Sequence, residues 1–556
     1  MRPDGRPEGI RQSMSWLHTW SGLLLGWLLY AVFFTGTLSY FRAEIDQWMR
    51  PELHRSVPDA QTLERSLETM ARLAPGAQSW SLTLPGARRS AVEASWREPG
   101  AAQGRAGVKR AFLDAGTGQP IEVRETRGGS FLYRFHFELY AMPRIWGRWI
   151  VGVATMMMFV ALLSGIVTHR KIFTDFFTFR PRKGQRSWLD AHNATAVLGL
   201  PFHLMITFSG LLLFMFQLMP WGVDAVYDGD RRAYQTEVRG GQVAAAAASV
   251  PRPTGRRSAE PRAAETVTSE IVPVAPLVEA ARQQWPEYGV GGVTVSSPGR
   301  PEATIELREG GGVSLADRGR ARRIVHDGLT GARIDGPAET ASSAVRASYN
   351  VLTSAHLGRF SGPALRWLLF LSGLMGTAMV ATGLVLWVVK RLPERRKLGR
   401  TPFGHRLVEH LNVGLIAGLS IATAAYFWLN RLLPASLEGR ADWEIRGFFI
   451  VWLLCLIHPL FRRPRPAWRE QFMMAALLFA GLPLLNPMTG GVSLAASLAH
   501  RQWSLAGFDL AMLALAALHG AIAWWLGRAV VAQGRARPGS GRLAMVHAPQ
   551  APERMP

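Results

Sequence analysis

Eight runs of apolar residues punctuate the chain, near positions 15–40, 145–169, 192–217, 364–389, 408–430, 445–461, 470–487 and 504–527. Several exceed the roughly 18 to 20 residues a helix needs to cross a hydrocarbon core of about 30 Å. In lipid no water is at hand for backbone N–H and C=O groups, so such segments are held to the α-helix. A helical protein that crosses the membrane about eight times is therefore expected. Long polar stretches separate the runs, which is why 48% hydrophobic residues give a mean hydropathy of only +0.07. The first run is too long for a signal peptide and no small-residue cleavage site precedes Phe41-Arg42-Ala43-Glu44, so it reads as a retained anchor.

Basic residues collect beside alternate span ends. Arg2, Arg6 and Arg11 precede the first span, Arg170 to Arg186 follow the second, Lys390 to Arg400 the fourth, Arg462 to Arg469 the sixth and Arg528 to Arg542 the last. Short loops rich in Lys and Arg stay in the cytoplasm, so both termini are expected there. The same clusters account for the net charge of +23. They hug membrane ends with no soluble basic domain behind them, so the expected partner of this charge is anionic lipid and not nucleic acid.

Two inserts, 42–143 and 218–360, fall on the opposite side and are too long to be simple connections. They repeat one another: Asp114-Ala115-Gly116-Thr117-Gly118-Gln119-Pro120-Ile121 and Asp327-Gly328-Leu329-Thr330-Gly331-Ala332-Arg333-Ile334 share Asp-x-x-Thr-Gly-x-x-Ile, a hairpin signal. Upstream, Leu63–Leu73 and Pro276–Trp285 carry helical spacing, while Thr294-Val295 and Ala303–Leu307 read as strands. Each insert is expected to be one helix on a small antiparallel sheet. Residues 240–265, rich in Ala, Gly, Pro and Arg, read as a linker.

Histidines follow the same duplication. His18 and His192 each open an apolar helix, and each is followed 18 residues later by the Gly of Phe34-Thr35-Gly36 or Phe208-Ser209-Gly210. His136 and His356 each close an insert just before the next span. Parallel repeats are related by an axis along the membrane normal. That predicts His18 meeting His192 near the cytoplasmic face and His136 meeting His356 near the opposite one. Two further histidines break the symmetry: His169 stands where the second copy has Trp387, and His203 where the first has Leu29. On a straight helix His203 lies about 20° in azimuth and roughly 16 Å in height from His192, so one helix would serve two stacked cofactors.

Ionisable groups inside a membrane are expensive and usually functional. Six imidazoles spread over both faces do not build a compact zinc or copper centre. They suit haem, which needs one imidazole on each side of a flat apolar macrocycle. Cys455 is the sole cysteine, which excludes covalent haem attachment through Cys-x-x-Cys-His, thiolate clusters and intramolecular disulfides. Two b-type haems are the expectation. No strand-linked Gly-x-Gly-x-x-Gly or phosphate loop is present, so a separate cytoplasmic donor is expected to supply electrons. His54, His326, His405, His410, His458, His500, His519 and His547 read as structural, loop or tail residues.

Several stretches carry a resemblance. Gly165–Phe173, Phe176–Pro181, Trp188–Asn193 and Pro201–Gly210 resemble the PepSY-associated transmembrane family, as do Ala355–Gly362 and Ala381–Trp387. The two inserts resemble PepSY domains, and Tyr426–Pro434 resembles extra C-terminal helices found in some members. The resemblance implies a bacterial inner-membrane protein linked to iron uptake, of the kind that reduces ferric siderophores or other ferric chelates on the periplasmic side. It supports His18, His169, His192, His203 and His356, whereas Arg134-Phe135-His136-Phe137-Glu138 departs from the family's usual pattern.

The expected fold is thus a mainly α membrane protein, with a duplicated four-helix haem-binding core and two small periplasmic α+β domains. Its segments are 1–41 (terminus and first span), 42–143 (first insert), 144–217 (two spans and a basic loop), 218–360 (second insert), 361–390 (fourth span), 391–532 (loop and four C-terminal spans) and 533–556 (tail). Two rivals compete with an electron-transferring reductase. One is a membrane-held PepSY protease inhibitor or sensor. The other is a siderophore or haem transporter, which would need broken helices or mid-membrane acids, neither of which is evident in the first four spans.

Overall fold

The computed structural model describes residues 9–102, 104–169, 179–230, 233–234, 271–311, 315, 321–334, 344–358 and 360–535. The expected linker 240–265, Arg2, Arg6, Arg170, Lys171, His547 and the tail beyond 535 lie outside them.

Among the described residues, seven helices are long and apolar enough to cross a membrane, and a bent pair brings the number to eight when counted as one broken span. In chain order they are Ile10–Ser39, Arg144–Thr168, the pair Gln185–Leu198 and Leu200–Leu213, Pro363–Lys390, Phe403–Leu432, Arg440–Leu460, Pro464–Met488 and Trp503–Arg535. The first span packs on the second and the fourth, and the fourth on the first half of the third. These four form one bundle. Its interior holds Leu29, Ala154, Met158, Leu162 and Met379.

The third span is not the straight helix that the sequence spacing implies. Its halves meet at 66°, with Gly199 at the junction and Pro201 just inside the second half. Proline has no N–H for the preceding turn, which is why the ladder breaks there. The stacked geometry expected for His192 and His203 is therefore wrong, and so is the expectation that the first four spans contain no broken helix.

Both inserts contribute to one antiparallel sheet of eight strands, in the order β4-β3-β2-β1-β5-β6-β7-β8. The first insert supplies β1 (Ser79–Thr83), β2 (Val92–Arg97), β3 (Val108–Leu113) and β4 (Pro120–Ile121); the second supplies β5 (Val290–Ser296), β6 (Thr304–Glu309), β7 (Arg323–Asp327) and β8 (Arg333–Ile334). The halves join where β1 pairs with β5 in a five-pair register from Ser79↔Ser296 to Thr83↔Gly292. Two domains read separately from sequence thus share one sheet. Helices Thr62–Leu73 and Val274–Gln284 cover one face, and Met70, Leu82, Val278, Val295 and Ile305 lie in the common core.

The repeated Asp-x-x-Thr-Gly sequence forms the same turn twice. Asp114 Oδ1 accepts from Thr117 N at 2.8 Å and Asp327 Oδ1 from Thr330 N at 2.8 Å. The following glycines, Gly118 and Gly331, have φ of 73° and 72°, a left-handed conformation that glycine adopts without Cβ strain.

The last four spans form a second bundle fastened to the first insert by the short helix Arg42–Trp48. Trp48 is fully buried, stacks on Phe508 at 4.5 Å and donates its Nε1–H to Asp509 at 2.9 Å. The guanidinium of Arg431 lies 4.1 Å over the Trp48 ring and donates to the Trp48 carbonyl and to Asn486. Nearby, Arg440 and Glu444 form a completely buried ion pair, whose carboxylate also accepts from Thr126 and Asn430. Buried charge is tolerated only when its hydrogen bonds are met, and here they are met across the junction between insert and bundle.

Candidate functional site: two histidine pairs seated on glycines

Four histidines share one local geometry. The His18 Nδ1 lies 2.8 Å from the Ala161 carbonyl, that of His192 2.9 Å from Met379, that of His136 2.7 Å from Val32 and that of His356 3.0 Å from Ile206. Each accepting carbonyl is four residues before a glycine: Gly165, Gly383, Gly36 and Gly210 in the same order. Each ring also lies against that glycine. A methyl placed there would stand 3.2, 3.1, 2.6 and 3.2 Å from the imidazole Cε1. Residues four apart sit one above the other on a helix face, so a ring laid across one turn touches both positions.

The seating repeats by halves. His18 of the first span reaches the second, and His192 of the third reaches the fourth. His136 and His356 ride on the short helices Gly129–Glu138 and Ala344–Leu357, which fold back onto the first and third spans. A Ser or Thr precedes every seat glycine: Thr35, Ser164, Ser209 and Thr382. Their hydroxyls turn back to helix carbonyls, as in Thr35 to Ala31 at 2.7 Å and Thr382 to Ala378 at 2.7 Å, and the Ser209 hydroxyl also lies 3.1 Å from the His356 Nδ1.

A carbonyl can only accept a hydrogen bond, so the proton of each imidazole is on Nδ1 and Nε2 keeps its lone pair. Among the described residues none of these four Nε2 atoms has a hydrogen bond. The rings then pair across the bundle. His18 and His192 stand 6.1 Å apart between centroids with planes at 66°, and His136 and His356 6.2 Å apart with planes at 41°. Metal–imidazole bonds are about 2.0 Å long. With about 1.2 Å more from nitrogen to ring centre, two imidazoles on opposite faces of one metal stand roughly 6.4 Å apart. Both pairs are close to that spacing.

Along the first span, His18 is 14 to 18 residues from the Val32–Gly36 seat of His136, or roughly 21 to 27 Å at 1.5 Å per residue.

The other two histidines stand apart. His169 ends the second span as its C-cap, and its Nε2 accepts from the Asn193 side chain. His203 is completely buried, with neither ring nitrogen in a well-formed hydrogen bond, although the carbonyls of Ser372 and Ala196 are near. It meets Phe33 edge-on at 6.1 Å and lies beside Gly376. It sits three residues from the Ile206 carbonyl that holds His356, and Gly376 beside it is three residues from the Met379 carbonyl that holds His192, so it lies about one helical turn from the seat of each pair.

The sequence yields the histidines but not their seats. The signal was present as Ser-Gly or Thr-Gly in each of the first four spans, yet a small-residue pair in a membrane helix ordinarily means close helix packing. No group of three or more His, Cys, Asp or Glu side chains gathers as a metal cage among the described residues. The arrangement offers two protein nitrogens to each centre.

The family described as "PepSY-associated TM region" matches the chain over residues 15–390, more than half its length and including both histidine pairs with their seats. No curated protein matches the chain. With its apolar spans and this match, the chain is a multi-pass membrane protein that belongs to the PepSY-associated TM region family.

Proposed function

We propose that the chain is a b-type haem protein of the bacterial inner membrane that moves electrons from the cytoplasmic side to the sheet side, where a ferric siderophore or other ferric chelate is reduced. The observation that supports this most is the pair spacing of 6.1 and 6.2 Å between imidazoles whose Nδ1 atoms are tied to carbonyls. A centre given only two protein nitrogens must find its remaining ligands elsewhere, and a porphyrin brings four in a plane. The donor set therefore fits haem, held by His18 with His192 and by His136 with His356. Bound there, haem iron supplies reversible one-electron chemistry.

The chain's own contribution is positioning and insulation. The carbonyls of Ala161, Met379, Val32 and Ile206 hold each ring through Nδ1, which leaves the Nε2 lone pair available. The four glycines clear the space that a side chain would take. In the same bundle Leu29, Met158, Leu162 and Met379 form a buried apolar cluster against the seats of His18 and His192. The basic loops orient the termini toward the cytoplasm, where a separate donor delivers electrons. Fe(III) binds hard oxygen donors tightly and Fe(II) less so. Adding one electron to the chelate thus loosens iron without breaking a covalent bond.

An absorption spectrum of the detergent-purified chain tests the proposal. A Soret band, reduced b-type α bands and two haems per chain are expected, with His18→Ala and His192→Ala each losing one. A folded but colourless protein would overturn it. A transport reading draws on the 66° break at Gly199, because discontinuous helices line many transporter sites. Uptake of labelled chelate into vesicles without reduction would favour transport over electron transfer.

A further inference from the structure

A cleft of about 2090 Å³ opens between the sheet, the outer ends of the first and fourth spans, and the last spans of the second bundle. Pockets for small ligands usually measure roughly 300–1,000 Å³, so this one is sized for something larger. Its two ends differ in chemistry. The deep wall is apolar, with Phe34 and Leu38 from the first span, Leu371 and Leu374 from the fourth, and Leu515 and Leu518 from the eighth. Leu371, Leu374 and Leu518 remain 52%, 37% and 53% exposed, a costly state for leucines unless acyl chains cover them.

Five arginines line the cleft against two acids, Glu44 and Glu287, which leaves it net cationic. Arg55, Arg89 and Arg501 line it, are exposed, and form no ion pair among the described residues. Side chains next to two of these arginines tie them to the Leu53–Arg55 segment. Ser90, next to Arg89, donates to the Leu53 carbonyl at 2.5 Å, and Gln502, next to Arg501, donates to the His54 carbonyl at 3.0 Å. Arg55 follows directly on that segment. By contrast Arg88 and Arg366, which also line the cleft, share the carboxylate of Glu44 at 2.6 and 3.4 Å. Net positive charge and bare leucine in one cleft complement an anionic head carrying hydrocarbon chains.

We propose that this cleft is a binding site for an anionic phospholipid, whose phosphate sits at Arg55, Arg89 and Arg501 and whose acyl chains lie between the fourth and eighth spans. The lipid adds to the direct contacts that already join the duplicated four-span core to the second bundle, such as Trp27 with Asn412 and Tyr30 with Ile416. An arginine near an anionic surface is worth about a fivefold preference. Three together imply selectivity on the order of a hundredfold at low salt, reduced by screening as salt rises.

The test is native mass spectrometry of the full chain released from nanodiscs of equal phosphatidylglycerol and phosphatidylcholine. Wild type is expected to retain phosphatidylglycerol at least tenfold over phosphatidylcholine, and the Arg55→Gln/Arg89→Gln/Arg501→Gln variant to lose that preference. Leu374→Trp with Leu518→Trp, which fills the groove and leaves the arginines alone, is expected to lower retention of both lipids; gel filtration checks that each variant is folded. Equal retention of the two lipids by wild type overturns the proposal, as does unchanged selectivity in the triple variant. Displacement of the lipid by a stoichiometric ferric chelate also overturns it, because the cleft would then be a substrate site.

Discussion

The His136 ring rests so closely on Gly36 that a methyl on this residue would stand 2.6 Å from both Cε1 and Nδ1 of the imidazole. At Gly210 the corresponding distance to His356 is 3.2 Å. Gly36→Ala is therefore expected to displace His136 and remove most of the sheet-side haem, whereas Gly210→Ala is absorbed by a small shift and keeps the larger part. Haem per chain from the pyridine haemochrome separates the two. Equal occupancy in both variants would show that the seats do not position the rings.

His169 and His192 are neighbours with different duties. His192 is a member of a ring pair, while His169 Nε2 is engaged by Asn193. His192→Ala is expected to remove one of two haems, and His169→Gln to keep both. Added imidazole should restore the lost signal in His192→Ala by filling the gap left in the pair. Optical titration of the purified variants with reductant reads both effects.

Arg440 and Glu444 lie four residues apart and are completely buried. Removing one partner of such a pair costs about 3–5 kcal/mol, because the other charge stays buried and uncompensated. Arg440→Met and Glu444→Gln are each expected to destabilise the protein clearly, and the double variant to lose less than their sum. Thermal melting in detergent, arranged as a double-mutant cycle, checks the coupling. Additive losses would mean that Thr126 and Asn430, and not Arg440, hold the carboxylate.

His54 is buried between the first insert and the second bundle, accepts from Val492 N, and is bonded through Nε2 to the Gln47 carbonyl. Burial, reinforced by the nearby Arg431 charge, pushes its pKa from 6.5 down to about 3. The unfolded chain takes up this proton below pH 6.5 and the folded chain does not. The His54 contribution to stability is thus present above pH 6.5 and is lost as pH falls toward 3, at up to about 1.4 kcal/mol per pH unit. Melting temperatures from pH 7.5 to 4.5 should fall more steeply in wild type than in His54→Gln. Parallel curves would remove His54 as the cause.

Helical spans, the duplication and the identity of the paired histidines were legible because periodicity and spacing are local properties of sequence. Asp114 and Asp327 announced their hairpins for the same reason. What escaped was non-local. Nothing near Ser81 says that its hydroxyl meets that of Thr294 at 3.1 Å across the joint between two inserts. The break at Gly199 turned on the next-but-one residue, Pro201, which membrane helices frequently accommodate without a bend. The depth of His136 depended on a short helix folding back onto Val32, a tertiary event.

The joint itself can be checked chemically. Ser81 and Thr294 are directly opposed in the β1–β5 register, so cysteines at both positions are expected to form a disulfide within one chain. A mobility shift on non-reducing gels, absent from either single variant, reads the bond. Failure to cross-link under oxidant would separate the inserts.

That five-pair seam has a mechanical consequence. A pump that alternates its exposure must rock one repeat against the other, yet here the two repeats are laced together beyond the membrane by continuous main-chain hydrogen bonds. Any such swing would have to tear the ladder or carry the whole sheet with it. A frame this rigid suits the proposed electron transfer, which needs contacts at fixed separations, better than it suits a moving carrier.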